Sequence, residues 1–358
     1  MRYILLNPGP VSLSEGVRRA AVATDLCHRE PEYFDLQDRV VQGLGSLYAT
    51  SAPDWRPVLL SGSGTSALEA MVASLVPREG RLLVLENGVY GERLSRLAGI
   101  HGIEHDAIAH DWVAGWDLER VKEALDGGGY SHVAAVHHET TTGRLNPVAD
   151  LASLCAANGA ALLLDAVSSF GAEALPFDAP ALVACAATAN KCLHGIPGAC
   201  LVMLRESALK DTVEPPRSLT LDLGLWAEHQ SRRSTPFTPP VNSLLALDRA
   251  VEELLESGGW RVRRARYQRL AAAVARTLDE LGVQPYIDPA ESSCVLRSYS
   301  LPRGRDYASI HQALKRHGFV VYAGQGDLSA KMFRVSTMGD ISDYDLARLL
   351  AALSDVFG

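Results

Sequence analysis

Short apolar runs alternate with amphipathic stretches through the first two-thirds of the chain. The runs are VLLSGSG (58–64), RLLVLENG (81–88), HVAAVHHE (132–139), AALLLDAVSS (160–169), LVACAATAN (182–190) and CLVML (200–204). Each has the length of a strand and ends in small or polar residues. Helical patterns such as 65–76 and 147–158 lie between several of them. Continuous apolar runs separated by helices predict a mostly parallel sheet covered on both faces. Ligands of such sheets bind at the carboxyl ends of the strands, where most of this polar punctuation falls.

The pattern then changes. Residues 214–240 are rich in Pro, Ser, Thr and Arg, with no long periodicity, and read as an excursion that reaches toward a partner subunit. Residues 244–281 read as helix, interrupted at Gly258-Gly259. After Asp288 the order is strand (295–299), helix (307–317), strand (320–322), strand (332–335) and helix (343–357), a compact α+β unit. The expected division is a large domain over 1–245, with the N-terminal segment near the active site, and a smaller C-terminal domain over 246–358.

Composition narrows the function classes. With 358 residues, 47% hydrophobic and 21% charged, the chain reads as an ordinary soluble protein with more than one core. A net charge of −8 argues against nucleic acid or an anionic membrane as partner. No apolar segment reaches the ~18 residues of a membrane span, and MRYILLNPGPVS is too short for a signal peptide. Six cysteines, none in a CxxC pair and most among Ala, Leu and Val, read as reduced thiols of a cytoplasmic protein, and no metal site is expected.

Three features carry chemistry. Ser61-Gly62-Ser63-Gly64-Thr65-Ser66 follows a strand and opens a helix. Glycines, hydroxyls and a helix N-terminus together form a phosphate cradle. The other reading is a Gly/Ser turn with an N-cap. The pattern is neither a P-loop nor GxGxxG. Asp165 ends a buried strand, where it caps a turn, holds a metal, or pairs with a protonated ring nitrogen. Lys191 stands in TANKCLHGIPG (188–198), a small, glycine-rich, nearly uncharged stretch. A lysine there is a snorkelling surface residue or a desolvated nucleophile. Taken together, an anion cradle, an acid at one strand end and a lysine at the next are the parts pyridoxal 5′-phosphate needs.

The chain resembles the class V aminotransferases of fold type I. The matching segments are LLNPGPV (5–11), SGSGTSALEA (61–70), NGVYGERL (87–94), HHETTTGRLNP (137–147), DAVSSFG (165–171), ANKCLHGIPG (189–198), STPFTPPVNSL (234–244) and FRVSTMG (333–339). Two of them, HHETTTGRLNP and ANKCLHGIPG, are most similar to the 2-aminoethylphosphonate–pyruvate group. The resemblance implies an α/β fold, a mostly parallel large-domain sheet, a smaller C-terminal α+β domain, pyridoxal 5′-phosphate and a homodimer with shared active sites. It implies that Lys191 bonds to the cofactor and Asp165 pairs with its ring nitrogen. Ser63, Gly64 and Thr65 would hold the phosphate, with Thr238 reaching it from the neighbouring subunit. Tyr90 and Val167 would cover the two ring faces, although Tyr90 also reads as a core aromatic at a helix start. Thr140 would bond the ring hydroxyl, and Asn7 and Gly9 would lie near the anionic end of the substrate. Arg334 stands in an otherwise apolar strand and would bind a carboxylate or phosphonate. The other reading pairs it with a protein acid.

Residues 26–34, LCHREPEYF, depart from the pattern. Cys27 matches the phosphonate enzymes and His28-Arg29 the serine and alanine types, so Arg29 is either a second anion contact or a loop arginine. The expected reaction is transfer of an amino group from 2-aminoethylphosphonate to pyruvate, giving phosphonoacetaldehyde and alanine. The alternative is an alanine- or serine–glyoxylate aminotransferase. A lyase or desulfurase would need a mobile catalytic cysteine, and Cys294 has the look of core. A descendant that had lost catalysis would lack Lys191 or Asp165, and both are present.

Overall fold

The structure, a computed structural model, describes residues 3–48 and 54–358. Seven strands form the large sheet, in the order Trp55–Gly62, Gly198–Arg205, Leu182–Thr188, Ala161–Asp165, His132–Val136, Arg81–Glu86 and Glu104–Ala109. All neighbours are parallel except Gly198–Arg205, which is antiparallel to both of its partners. The continuous apolar runs follow from burial on both faces. Leu83, Leu85, Val133, Ala135, Leu162 and Leu164 pack into one core, and Leu82, Val84, Ala134, Val136 and Leu163 into another. Alternation along each strand thus feeds two apolar layers instead of one apolar and one wet layer.

Glu104–Ala109 and Leu223–Ser231 are among the elements that escape the sequence pattern. Glu104–Ala109 is an edge strand whose only buried residue is Ile108. A charged, half-wet edge has no apolar run to announce it. Within 214–240 the structure forms a helix, Leu223–Ser231, with Asp222 as its N-cap. Its Gln230 closes the opposite edge of the sheet, its Oε1 accepting from Leu59 N at 3.0 Å and its Nε2 donating to Pro57 O at 2.7 Å.

The helix expected with an interruption at Gly258-Gly259 is two helices, Val241–Glu256 and Gly259–Glu280. Gly258 and Gly259 have φ of 102° and 78°, a conformation that disfavours side chains and breaks the run. Leu247, Val251 and Leu254 of the first helix pack into the same core as Leu83 and Leu162, and the expected boundary at 245/246 falls inside this helix. The second helix packs with Leu296–Ser300, Met332–Ser336 and Asp343–Phe357 in a third core. The expected strand at 320–322 is two short ones. Tyr322–Ala323 joins Met332–Ser336, whereas Phe319–Val320 pairs with Ile4–Leu5 at the N-terminus. Ile4 and Leu6 accordingly belong to the small-domain core.

Candidate active site

Four chain crossings meet at one edge of the large sheet. Asp165 ends its strand, and the segment His137–Thr142 follows the neighbouring one. Lys191 stands just past Thr188, and Ser63-Gly64-Thr65 follows Gly62. The sheet's parallel order brings all four to the same side.

The cradle is built as a helix start. Ser63 caps Gly64–Leu75 in a capping box with Ser66. Ser63 Oγ accepts from Ser66 N at 3.4 Å, which leaves the N–H groups of Gly64 and Thr65 without intrahelical acceptors. A Cβ at Gly64 would lie 2.8 Å from Val167 Cγ1, so only glycine lets the cradle close on that side chain. Thr65 Oγ1 accepts a hydrogen bond from Arg93 at 2.9 Å.

Asp165 is 3% exposed, and its Oδ1 accepts from Val167 N at 2.9 Å. Burial pushes its carboxyl up to about 7. That hydrogen bond opposes the rise, and the charge of Glu139 adds to it. No basic group lies within ion-pair distance of it among the described residues. It is a carboxylate short of a cation.

Lys191 is held on a tight turn. His194 N donates to Lys191 O at 2.9 Å and Gly195 N to Ala189 O at 2.7 Å. Arg263 from the long helix donates to Cys192 O at 2.6 Å. The lysine Nζ donates to Pro8 O, and a Cβ at Gly9 would sit 2.7 Å from Lys191 Cδ. Desolvation brings the amine down to about 8, with the guanidinium groups of Arg334 and Arg93 adding to the fall. At that value roughly a tenth of the amine is neutral at pH 7, which suits a nucleophile and proton carrier.

The segment after His132–Val136 is organised by Glu139. This buried acid accepts from Thr141 N and Oγ1, and from Tyr90 N and Gly91 N at the start of helix Val89–Ile100. Tyr90 and Thr140 are thereby set from one anchor. Thr140 Oγ1 is buried and has no partner, and so is His138 Nε2, whose ring bonds Ser168 O through Nδ1 at 3.1 Å. Arg334 is 1% exposed. Its Nε donates to Ala323 O at 2.8 Å and its Nη1 to Thr140 O at 2.7 Å, and no acid pairs with it among the described residues. Burial lowers its affinity for a proton, a cost that an incoming anion would relieve.

Asn7 is buried, donates to Pro10 O at 3.1 Å and leaves its Oδ1 unpartnered. Two expected residues lie apart. Arg29 is exposed on the loop before helix Pro31–Ser46, and Thr238 is exposed at the end of the Pro/Thr segment. Neither forms a side-chain hydrogen bond among the described residues. Arg93, Glu139 and His138 were not singled out by the sequence reading, although all three stand in segments that carried the resemblance. Arg93 is one helical turn from Tyr90, which was the available signal.

The donor set fits pyridoxal 5′-phosphate. The cradle's free N–H groups suit its phosphate, the unpaired Asp165 its ring nitrogen, the partnerless Thr140 Oγ1 its ring hydroxyl, and the low-pKa Lys191 its aldehyde. Comparison with known proteins agrees. The class V aminotransferase family model matches residues 51–341. The 2-aminoethylphosphonate–pyruvate transaminase of Vibrio cholerae is 35% identical over 98% of this chain and 96% of its own. That of Phocaeicola vulgatus is 33% identical over 99% of each. Among solved structures, the alanine–glyoxylate aminotransferase of Nostoc sp. superposes with a TM-score of 0.91 at 27% identity, covering 100% of this chain and 96% of that one. The pyridoxamine–pyruvate aminotransferase of Mesorhizobium loti does so with 0.90 at 28%, covering 99% and 92%. The chain belongs to the class V aminotransferases, pyridoxal 5′-phosphate enzymes of fold type I.

Proposed function

We propose that this aminotransferase moves the amino group of 2-aminoethylphosphonate to pyruvate, releasing phosphonoacetaldehyde and alanine. The observation that carries the reading is Arg334, a buried guanidinium next to Thr140, bonded to two carbonyls and to no acid among the described residues. A planar, fixed guanidinium takes phosphonate or carboxylate oxygens equally well. Donor and acceptor therefore share one anion site. The names of the Vibrio and Phocaeicola relatives support the same pair of substrates.

Bound pyridoxal 5′-phosphate supplies an electron sink that acidifies the proton on the amine-bearing carbon. Lys191 Nζ takes that proton and returns it. Asp165 regains its ionised form beside a cationic ring nitrogen, because such a partner offsets the burial that now holds its carboxyl near about 7. Ser63, Gly64 and Thr65 would hold the phosphate, Tyr90 and Val167 would cover the ring faces, and Thr140 would meet the ring hydroxyl. Asn7 and the backbone at Gly9 border the substrate. Thr238, exposed in one chain, reaches the phosphate of a second protomer in a homodimer. Arg29 serves at most as an outer anion contact. The two units divide at Gly258-Gly259, with the N-terminal strand joined to the small one. Six unpaired thiols fit a reducing cytoplasm, and no helix among the described residues is long and apolar enough to cross a membrane.

Titration of the purified protein with 2-aminoethylphosphonate should bleach its visible cofactor band, and pyruvate should restore it. If only alanine or serine bleaches the band, the donor is wrong. The second reading, an alanine- or serine–glyoxylate enzyme, is favoured by His28-Arg29 and the Nostoc likeness. Arg334→Ala should raise KM for donor and acceptor alike by roughly ten- to a hundredfold. A rise for only one would separate the two anion sites.

A further inference from the structure

We propose that Arg93 is the cation that holds the cofactor's phosphate. The inference rests on the pyridoxal phosphate reading of the Ser63-Gly64-Thr65 cradle and adds a charge to it. Arg93 stands on helix Val89–Ile100, three positions after Tyr90 and so on the same face. Its Nη1 donates to Thr65 Oγ1 at 2.9 Å, and its guanidinium lies 4.6 Å from the centroid of the Tyr90 ring. One side chain thus ties the phosphate cradle to the ring-covering tyrosine.

Arg93 has no carboxylate within ion-pair distance among the described residues. The acid beside it in sequence and the acid that anchors the start of its helix are engaged elsewhere, and Asp165 feels its charge without pairing with it. Glu92 accepts from Trp112 at 2.9 Å, and Glu139 is spent on Thr141, Tyr90 and Gly91. The positive charge reaches inward, since it bears on both Asp165 and Lys191. Every other group of the cradle is neutral: hydroxyls of Ser63, Thr65 and Ser66, and first-turn N–H groups. Neutral donors alone leave a dianionic phosphate undercompensated in a half-buried site, and a guanidinium supplies both charge and a planar pair of donors. Because Thr65 Oγ1 accepts from Arg93, its own proton is free to turn toward the anion. A substrate phosphonate has the same tetrahedral anionic chemistry. The contact with the cradle assigns Arg93 to the cofactor, while Arg334, bonded to Thr140 and Ala323, faces the substrate.

The test uses cofactor-stripped wild type and Arg93→Gln, each titrated with pyridoxal 5′-phosphate and with unphosphorylated pyridoxal. The visible band reads binding, and a melting curve checks the fold. Arg93→Gln should raise Kd for pyridoxal 5′-phosphate by about ten- to a hundredfold, the range of a hydrogen bond to a charged group. Kd for pyridoxal should stay within about twofold, and Arg93→Lys should recover part of the loss. Equal weakening toward both ligands would mean that Arg93 only props Thr65 and Tyr90, and overturns the proposal. Unchanged affinity for both, with a raised KM for 2-aminoethylphosphonate, would move Arg93 to the substrate and overturn it too. A wild type that binds neither ligand would overturn the cofactor reading itself.

Discussion

Asp165 and Glu173 are two buried acids on the same stretch of chain, and their surroundings are opposite. Glu173, 1% exposed, is saturated: Arg264 pairs with its Oε2 at 2.9 Å, and its Oε1 accepts from Ser293 Oγ at 2.6 Å and from Cys294 N at 3.2 Å. Burial pushes it up, but Ser293, Arg264, His137 and Cys294 together bring it below the usual carboxylate value. Asp165 has a backbone N–H and no ion-pair partner among the described residues, and stays raised by burial. Cys294 packs in the third core with Val295 and Tyr299, so Glu173 ties that core to the segment after Asp165. A buried charge whose partners are all protein is a fastening. A buried charge that lacks one is a socket for something the chain does not encode. Arg144 and Arg334 repeat the contrast: the first pairs with Glu291 at 2.9 Å, the second with no acid among the described residues.

The largest expected effect is on catalysis. Asp165→Asn should lower kcat by roughly a thousandfold, the scale of losing a fixed electrostatic partner of the reacting group, and should raise the melting temperature of cofactor-free protein at pH 8. A variant that lost stability instead would place Asp165 among the fastenings. Glu173→Gln should do the reverse. It should cost roughly 2–3 kcal/mol of folding stability, the scale of breaking a hydrogen bond to a charged group, and leave kcat within about threefold of wild type; denaturant melts and steady-state assays read the two. A large fall in kcat with unchanged stability would erase the distinction.

The smallest effect is on pH dependence, and the two acids have opposite signs. Glu173 sits below its usual value when folded, so the stability it contributes is present above about 4.5 and is lost as the pH falls through its lowered pKa. Asp165 sits near about 7 when folded against 3.8 unfolded, so it favours the fold at low pH, and that contribution is lost as the pH rises from about 4 to about 7. Cofactor-free protein should therefore lose stability across that window, and Asp165→Asn should flatten the slope. A slope that survived the substitution would trace to another group.

Much of this was legible in the chain. Strand-length apolar runs gave the doubly covered sheet, because burial on both faces writes an unbroken pattern. Lys191, Asp165 and the Ser/Gly/Thr turn were legible because each is an odd residue in its setting. Glu104–Ala109 was not, since an edge strand need not be apolar. Nor was the N-terminal pairing, since two-residue strands carry no period and their partners lie near the other end of the chain. Glu139 and Arg93 escaped because an acid that caps a helix start and an arginine that bonds a threonine resemble ordinary surface charge until the partners are seen. Thr238 and Arg29 remain exposed in a single chain.

The pairing of Ile4–Leu5 with Phe319–Val320 bears on the order in which the protein is made. The residues after that strand, Pro8 and Gly9, press against the reactive lysine. These residues have no strand to join until the chain has been made as far as Val320. At about 5–20 residues per second, that is a wait on the order of tens of seconds. The large sheet can be complete during that interval while the lysine's own wall is still missing, so competence waits for Phe319–Val320.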